Sequence, residues 1–259
     1  MRFTPGTFNY VDLVARDIAR IRPFYEALFG WFYAEQTSHG GPPYGMFARD
    51  GKTAAGVGQM SAEMIEAGTP STWNTYVTVD DLAATEAKVR ELGGTLLFET
   101  ITIPGAGKTN WVRDPEGAVL ALWEPMGHAG SDVVNVPGSF CWNERATRDL
   151  AGFEAFYGAL FGWRFVNDDN PHGTVRMIHN AAGREQGHAL VMTEAWGDFP
   201  PSWAVYFAVE DCNAAVERAV DLGGQVNVPP IDIAVGRFAN LSDPDRASFY
   251  VIQLNDVAT

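Results

Sequence analysis

The chain has 259 residues, 46% of them hydrophobic and 19% charged, which supplies a sizeable packed core and excludes a disordered or fibrous protein. Eighteen Lys and Arg against 32 Asp and Glu give a formal net charge of -14, which repels phosphate backbones and anionic lipid, so neither nucleic acid nor a membrane is an expected partner. No apolar run approaches the roughly 18 residues of a membrane span, the start Met1-Arg2-Phe3-Thr4-Pro5-Gly6 lacks a secretory stretch, and Cys141 and Cys212 have no paired spacing; a cytoplasmic protein with ordinary buried thiols is expected.

In chain order, residues 7–14 read as a strand, and Asp17 is placed to cap a helix that runs through Phe29, carries Pro23 and stops at Gly30. Strands are expected at 31–36, 44–49 and 53–60, with 41–43 and Asp50-Gly51 as turns. The order then repeats: a strand at 73–79, a helix over 82–92 closed by Gly93-Gly94, and strands at 95–98, 108–113 and 118–124. Each pass is a βαβββ module, giving mixed sheets with helices on one face, an α+β architecture.

The second half repeats the first. Phe24-Tyr25-Glu26-Ala27-Leu28-Phe29-Gly30-Trp31 recurs 132 residues on as Phe156-Tyr157-Gly158-Ala159-Leu160-Phe161-Gly162-Trp163, and Pro5-Gly6 recurs as Pro137-Gly138. The offset becomes 130 at Leu92-Gly93-Gly94 and Leu222-Gly223-Gly224, then 129 at Asp114-Pro115 and Asp243-Pro244, as loop deletions between matched elements would produce. The chain is thus a tandem duplication of four modules, with domains at 1–127 and 135–259 joined by a polar, glycine-containing stretch.

These motifs, together with Val79-Asp80-Asp81-Leu82 and Asp114-Pro115-Glu116-Gly117, resemble the vicinal oxygen chelate superfamily of glyoxalases, bleomycin-resistance proteins and extradiol dioxygenases. The likeness covers nearly the whole chain and is strongest to the two-domain actinobacterial branch labelled hydroxylase or glyoxalase-like antigen. One motif departs, since Arg246 stands where the second Asp-Pro turn should have its Gly. The resemblance implies a cupped sheet that encloses a small molecule and, in catalytic members, a divalent metal held by His, Glu or Gln. It places those ligand positions at Tyr10, Asn74 and Ala121 in the first half and at Trp142, Ala204 and Tyr250 in the second. None is a His or a carboxylate, so no metal and no other cofactor is expected.

Two residues beyond Tyr10 and Trp142, on the same strand face, stand Asp12 and Glu144. They read either as pocket carboxylates that move a proton or anchor a substrate, or as strand-end acids paired with an Arg such as Arg16 or Arg145. His172, His179 and His188 occur only in the second half and match no helix-face zinc spacing; His39 and His128 read as loop residues. Tyr10, Asn74, Trp123, Trp142, Trp203 and Tyr250 are the substrate-binding candidates, with core packing the competing reading for the aromatics. The glycine-rich Gly105-Ala106-Gly107-Lys108-Thr109 is no P-loop, because Thr102 replaces the first Gly and a strand follows.

The expected function is the binding of a small, aromatic organic molecule, with metal-independent tailoring by Asp12 or Glu144 as an open extension. The alternative is a metal-dependent glyoxalase or dioxygenase with relocated ligands. A tandem chain can form internally the sites that single-repeat relatives form by pairing, so a monomer or a homodimer is expected. If one half has kept the site, the second is favoured, because it carries Glu144, Trp142, Tyr250 and the extra histidines.

Overall fold

The computed structural model describes residues 3–36, 42–168 and 173–255; Gly41, His39 and His172, named above, lie outside them. The first half runs β1 (Phe8–Ala15), α1 (Ile18–Phe29), β2 (Phe32–Gln36), β3 (Tyr44–Arg49), β4 (Lys52–Gln59), a short α2 (Ala62–Glu66), β5 (Thr72–Thr78), α3 (Leu82–Glu91), β6 (Thr95–Leu96), β7 (Ile101–Ile103), β8 (Gly107–Arg113) and β9 (Val119–Pro125). The second half runs β10 (Ser139–Thr147), α4 (Leu150–Phe161), β11 (Arg164–Asp168), β12 (Val175–His179), β13 (Glu185–Val191), β14 (Ser202–Ala208), α5 (Cys212–Asp221), β15 (Gln225–Ile233), β16 (Gly236–Ser242) and β17 (Ser248–Leu254).

Each half forms one sheet. The first is ordered β2-β3-β4-β1-β5-β9-β8-β6 with β7 also on β8, and the second β11-β12-β13-β10-β14-β17-β16-β15. The first strand of every module pairs in parallel with its last, through β1·β4, β5·β9, β10·β13 and β14·β17. That pairing is what a βαβββ order yields when its helix crosses one face of the sheet. The first sheet has nine strands against eight because its outermost strand is broken in two: β6 and β7 occupy the positions that β15 fills continuously, 130 residues on. The break has a cause in α3, whose Glu86 carboxylate accepts from Thr100 Oγ1 at 2.6 Å and Asn110 Nδ2 at 2.9 Å, while Asn110 Nδ2 also reaches the Phe98 carbonyl. These bonds draw the strand off the ladder. The matching residue of α5 is Val216, which offers no acceptor.

The four long helices start alike. Asp17, Asp81, Asp149 and Asp211 each accept a hydrogen bond from the backbone N–H three residues on, satisfying a donor the helix leaves open. α1 and α4 stop at Gly30 and Gly162, both left-handed with φ near 70°.

By contact density the chain divides into two compact units that do not coincide with its halves. One comprises Met1–Tyr10, Asn74–Gly130 and Asn143–Ala204, the other Val11–Trp73, Ser131–Trp142 and Val205–Thr259. The repeated motifs make physical sense within these units. In the second, the fully buried Tyr25 donates to Asp243 Oδ2 at 2.9 Å and receives Trp73 Nε1–H at 2.9 Å. In the first, Tyr157 donates to Asp114 Oδ2 at 3.0 Å and receives Trp203 Nε1–H at 3.0 Å. Trp31 Nε1–H donates to the Gly138 carbonyl and Trp163 Nε1–H to that of Gly6, so the distant Pro-Gly and Gly-Trp motifs are partners.

The units also differ in the buried charge that faces the repeated Asp-Pro turn. Arg145, fully buried on β10, bonds Asp114 and Glu116 at 2.8 Å each. Its counterpart in the first half is Leu13, so the second unit's Asp243 is held by Tyr25 and the backbone N–H groups of Asp245 and Ala247, with no guanidinium in that position. Burial, opposed only in part by these bonds, raises its carboxyl from 3.8 to about 6. Arg246, in the glycine's place, adopts φ 74° and bonds the Gln225 side chain, an interaction that offsets the strain of a left-handed non-glycine residue.

Candidate functional site

Alternation along β1 and β10 sorts their side chains. On β10, Arg145 faces the α4 side, where it shares Asp114 with Tyr157, so Trp142 and Glu144 look the other way. Arg145 is therefore not the partner of Glu144, and the expectation of that ion pair is corrected: the guanidinium and the carboxylate lie on opposite faces of one strand. Glu144 instead meets an imidazole. β10 and β13 are parallel and in register at Glu144 and His188, and Glu144 Oε2 lies 3.0 Å from His188 Nε2. Both are largely removed from solvent, with side chains 7% and 19% exposed. On β1, Asp12 occupies the same position and is buried; Tyr44 Oη donates to its Oδ2 at 3.4 Å.

Aromatic side chains gather within each unit. In the first, Tyr10 makes edge contacts with Tyr76 (5.5 Å between centroids) and His128 (5.1 Å), and Trp123 meets both Tyr76 and His128 while donating from Nε1 to the His128 carbonyl. Tyr10 and Trp123 are thus brought into one cluster, which the sequence did not show to include His128. In the second unit Tyr206 and Tyr250 stack face to face at 4.2 Å and 4°, with Phe238 beside them. Asn74 and Trp142 are half-buried on β5 and β10.

Trp203 is a correction. Its indole packs against Phe8, Phe153, Tyr157 and Trp163 and bonds Tyr157, so it belongs to the aromatic core of the first unit rather than to a ligand-facing surface. Trp73 does the same against Tyr25 and Phe207. A cavity of about 180 Å³ near the start of α4 is lined by Asp114, Glu116, Asp149 and Phe156 among others. Its acids are committed to structure. Burial works to raise the Glu116 carboxyl, but bonds from Thr147 Oγ1, the Arg148 and Asp149 N–H groups and Arg145 outweigh it and hold it low. The thiols are poor nucleophiles: burial pushes Cys141 up to about 12 and raises Cys212.

The Glyoxalase/Bleomycin resistance protein/Dioxygenase superfamily matches residues 7–122 and 140–249, and the chain belongs to that superfamily. It is 38% identical over 255 residues to "Putative glyoxylase CFP32" of Mycobacterium tuberculosis (strain CDC 1551 / Oshkosh), covering 97% of this chain and 96% of that one. It is 34% identical over 269 residues to the anthracycline biosynthesis protein DnrV of Streptomyces peucetius, covering 98% and 96%. Among solved structures it shares the fold of the Mn(II)-bound glyoxalase from Novosphingobium aromaticivorans, with TM-score 0.65 and 15% identity over 96% of this chain and 82% of that one. It also shares the fold of the 2,3-dioxygenase LapB from Pseudomonas sp. KL28, with TM-score 0.63 and 11% identity over 95% and 91%.

A divalent metal, which that fold family implies, does not fit the residues present. The positions that the sequence resemblance assigns to the ligands hold two phenols, an indole, a carboxamide and two methyl groups, from Tyr10, Tyr250, Trp142, Asn74, Ala121 and Ala204. An indole donates only, and a phenol keeps its proton at neutral pH. Among the described residues no three of His, Cys, Asp and Glu come together in a way that could hold a metal ion. No helix among them is long and apolar enough to cross a membrane.

Proposed function

We propose that the protein binds a small, planar, hydroxylated aromatic molecule without a metal. The observation that carries this reading is the replacement of donor side chains by aromatic ones at Tyr10, Trp142 and Tyr250, each on a strand face shared with or adjoining a buried carboxylate or a stacked ring pair. Flat aromatic surfaces pack well against a fused-ring ligand, and a few polar groups fix its orientation. The name of the relatives at 34% identity supports the class, since anthracyclines are hydroxylated fused-ring compounds. The net charge of -14 favours a neutral or cationic ligand over an anionic one. Asn74, Tyr10 and Trp123 in one unit and Trp142 and Tyr250 in the other are the proposed contacts.

The test is titration of chelator-treated protein with 1,4-dihydroxyanthraquinone, followed by quenching of tryptophan fluorescence. Saturable binding that weakens in Tyr10→Ala or Tyr250→Ala supports the reading; the absence of saturable binding would sink it. A second reading, metal-independent tailoring, is favoured by the geometry of Glu144, whose carboxylate sits against an imidazole. Turnover that is lost in Glu144→Gln while binding is kept would support it, and unchanged turnover would end it.

A further inference from the structure

We infer that the cavity at the start of α4 binds a guanidinium group. All of its residues belong to the first unit, and the inference does not depend on the aromatic-binding reading.

The second unit shows what fills the matching place. Arg20, in the first turn of α1, donates from Nη2 to the Pro244 carbonyl at 3.3 Å and from Nη1 to Asp245 Oδ1 at 2.9 Å. Through the repeat offsets of 132 and 129, Arg20 answers to Gly152, and Pro244 and Asp245 answer to Pro115 and Glu116. Local geometry agrees, because Asp17 accepts from the Arg20 N–H as Asp149 does from that of Gly152. The first unit thus keeps the acceptor side without the arginine, and Pro115, Glu116, Asp149 and Gly152 line its cavity of about 180 Å³. Phe153 and Phe156 line it too, where the second unit has Ile21 and Phe24, so the wall gains an aromatic ring, a surface that attracts cations.

The charges select the sign of the ligand. Asp114, Glu116 and Asp149 face the cavity. Against them stands the buried Arg145 guanidinium, while that of Arg148 is turned to the Gly197 and Phe199 carbonyls. A bare helix start repels a cation. Here its N–H groups are taken, that of Gly152 by Asp149 Oδ1 and those of Arg148 and Asp149 by Glu116 Oε1. Asp149 Oδ2 leans over the Gly152 Cα, where a Cβ would strike it. Glycine, an unfavourable helix residue, leaves that carboxylate and the space beside it in position. A guanidinium donates in a rigid planar fork, which suits a carbonyl beside a carboxylate better than a single ammonium does. The Arg20 side chain is 62% exposed, so the matching place opens to solvent and a free ligand can reach it.

The test follows amide proton–nitrogen correlation spectra of the wild-type protein during titration with ethylguanidinium chloride at constant ionic strength. A parallel titration uses ethylurea, a neutral molecule of like shape. The expected result is saturable shifts at Glu116 and in 149–156, with a Kd on the order of millimolar, and none with ethylurea. Gly152→Arg supplies the group from the chain itself and should weaken ethylguanidinium binding by at least about tenfold, its folding being read in the same spectra. No saturable shift in wild type, or equal shifts with ethylurea, overturns the inference, and neither result needs a variant to fold. Unchanged binding in folded Gly152→Arg also overturns it. A titration with N-acetylarginine methylamide separates the two sources of the group. Binding within about threefold of ethylguanidinium supports an arginine side chain of a polypeptide as the ligand, and ethylguanidinium binding alone supports a free guanidinium compound.

Discussion

Replacing Asp243 by Asn should change the pH dependence of stability in a defined direction. The Asp243 carboxyl is buried beneath the aromatic core of the second unit, and burial first, opposed by its hydrogen bonds, raises it from 3.8 to about 6. A raised acid binds its proton more tightly folded than unfolded, so its stabilisation is fully present below the unfolded value and is lost as pH rises through the folded one. Over roughly 2 units, at about 1.36 kcal/mol each, the loss between about pH 4 and pH 7 is on the order of 3 kcal/mol. Asn keeps a carbonyl for the Asp245 and Ala247 N–H groups but gives the Tyr25 hydroxyl no carboxylate, a cost of about 1 kcal/mol that does not vary with pH. Urea midpoints of both proteins across this range read the difference between the two curves. Asp243→Asn should be less stable than or level with wild type near pH 4 and should gain on it by about 2–3 kcal/mol near pH 7.5. A constant difference across the range would refute the placement of a carboxyl in the core with hydrogen bonds but no guanidinium beside it.

Arg145→Leu, which installs the first half's residue, strands Asp114 and should cost about 3–5 kcal/mol in urea unfolding, with part recovered in the double variant with Asp114→Asn. Loss of a helix cap in Asp211→Ala should cost about 1 kcal/mol, read as a fall in thermal midpoint. Arg246→Gly removes a left-handed arginine and should be neutral or stabilising by up to about 1 kcal/mol; a loss larger than that would show that the Gln225 bond outweighs the strain.

Much of the architecture could be read from the repeats. The capping aspartates, the Gly30 and Gly162 stops and the strand alternation are local signals, and the elements expected in the first half lie within a few residues of their bounds, whereas α2 and β7 were not expected. The partnerships those motifs serve were not legible, because Tyr25 meets Asp243 and Trp31 meets Gly138 across more than 100 residues. The division into compact units that mix the halves follows from such contacts and leaves no mark on composition. The break between β6 and β7 hangs on Glu86, a helix residue whose reach into the sheet no periodicity reveals. At the candidate site the recurrence of an acid at Asp12 and Glu144 was visible, whereas His188 was passed over because its spacing fits no zinc pattern. The signal that could have found it was the ladder: a parallel pairing of each module's first and last strands sets position 188 opposite 144 and position 56 opposite 12. Trp203 was misassigned because aromatic composition does not distinguish the two faces of a strand.

The most direct test of the central claim is divalent metal analysis of the purified protein, before and after incubation with Mn(II), together with its affinity for 1,4-dihydroxyanthraquinone. The account predicts sub-stoichiometric metal in both samples and one unchanged affinity. Near-stoichiometric metal per chain, with dye binding that depends on it, would contradict it and restore the metal chemistry of the superfamily.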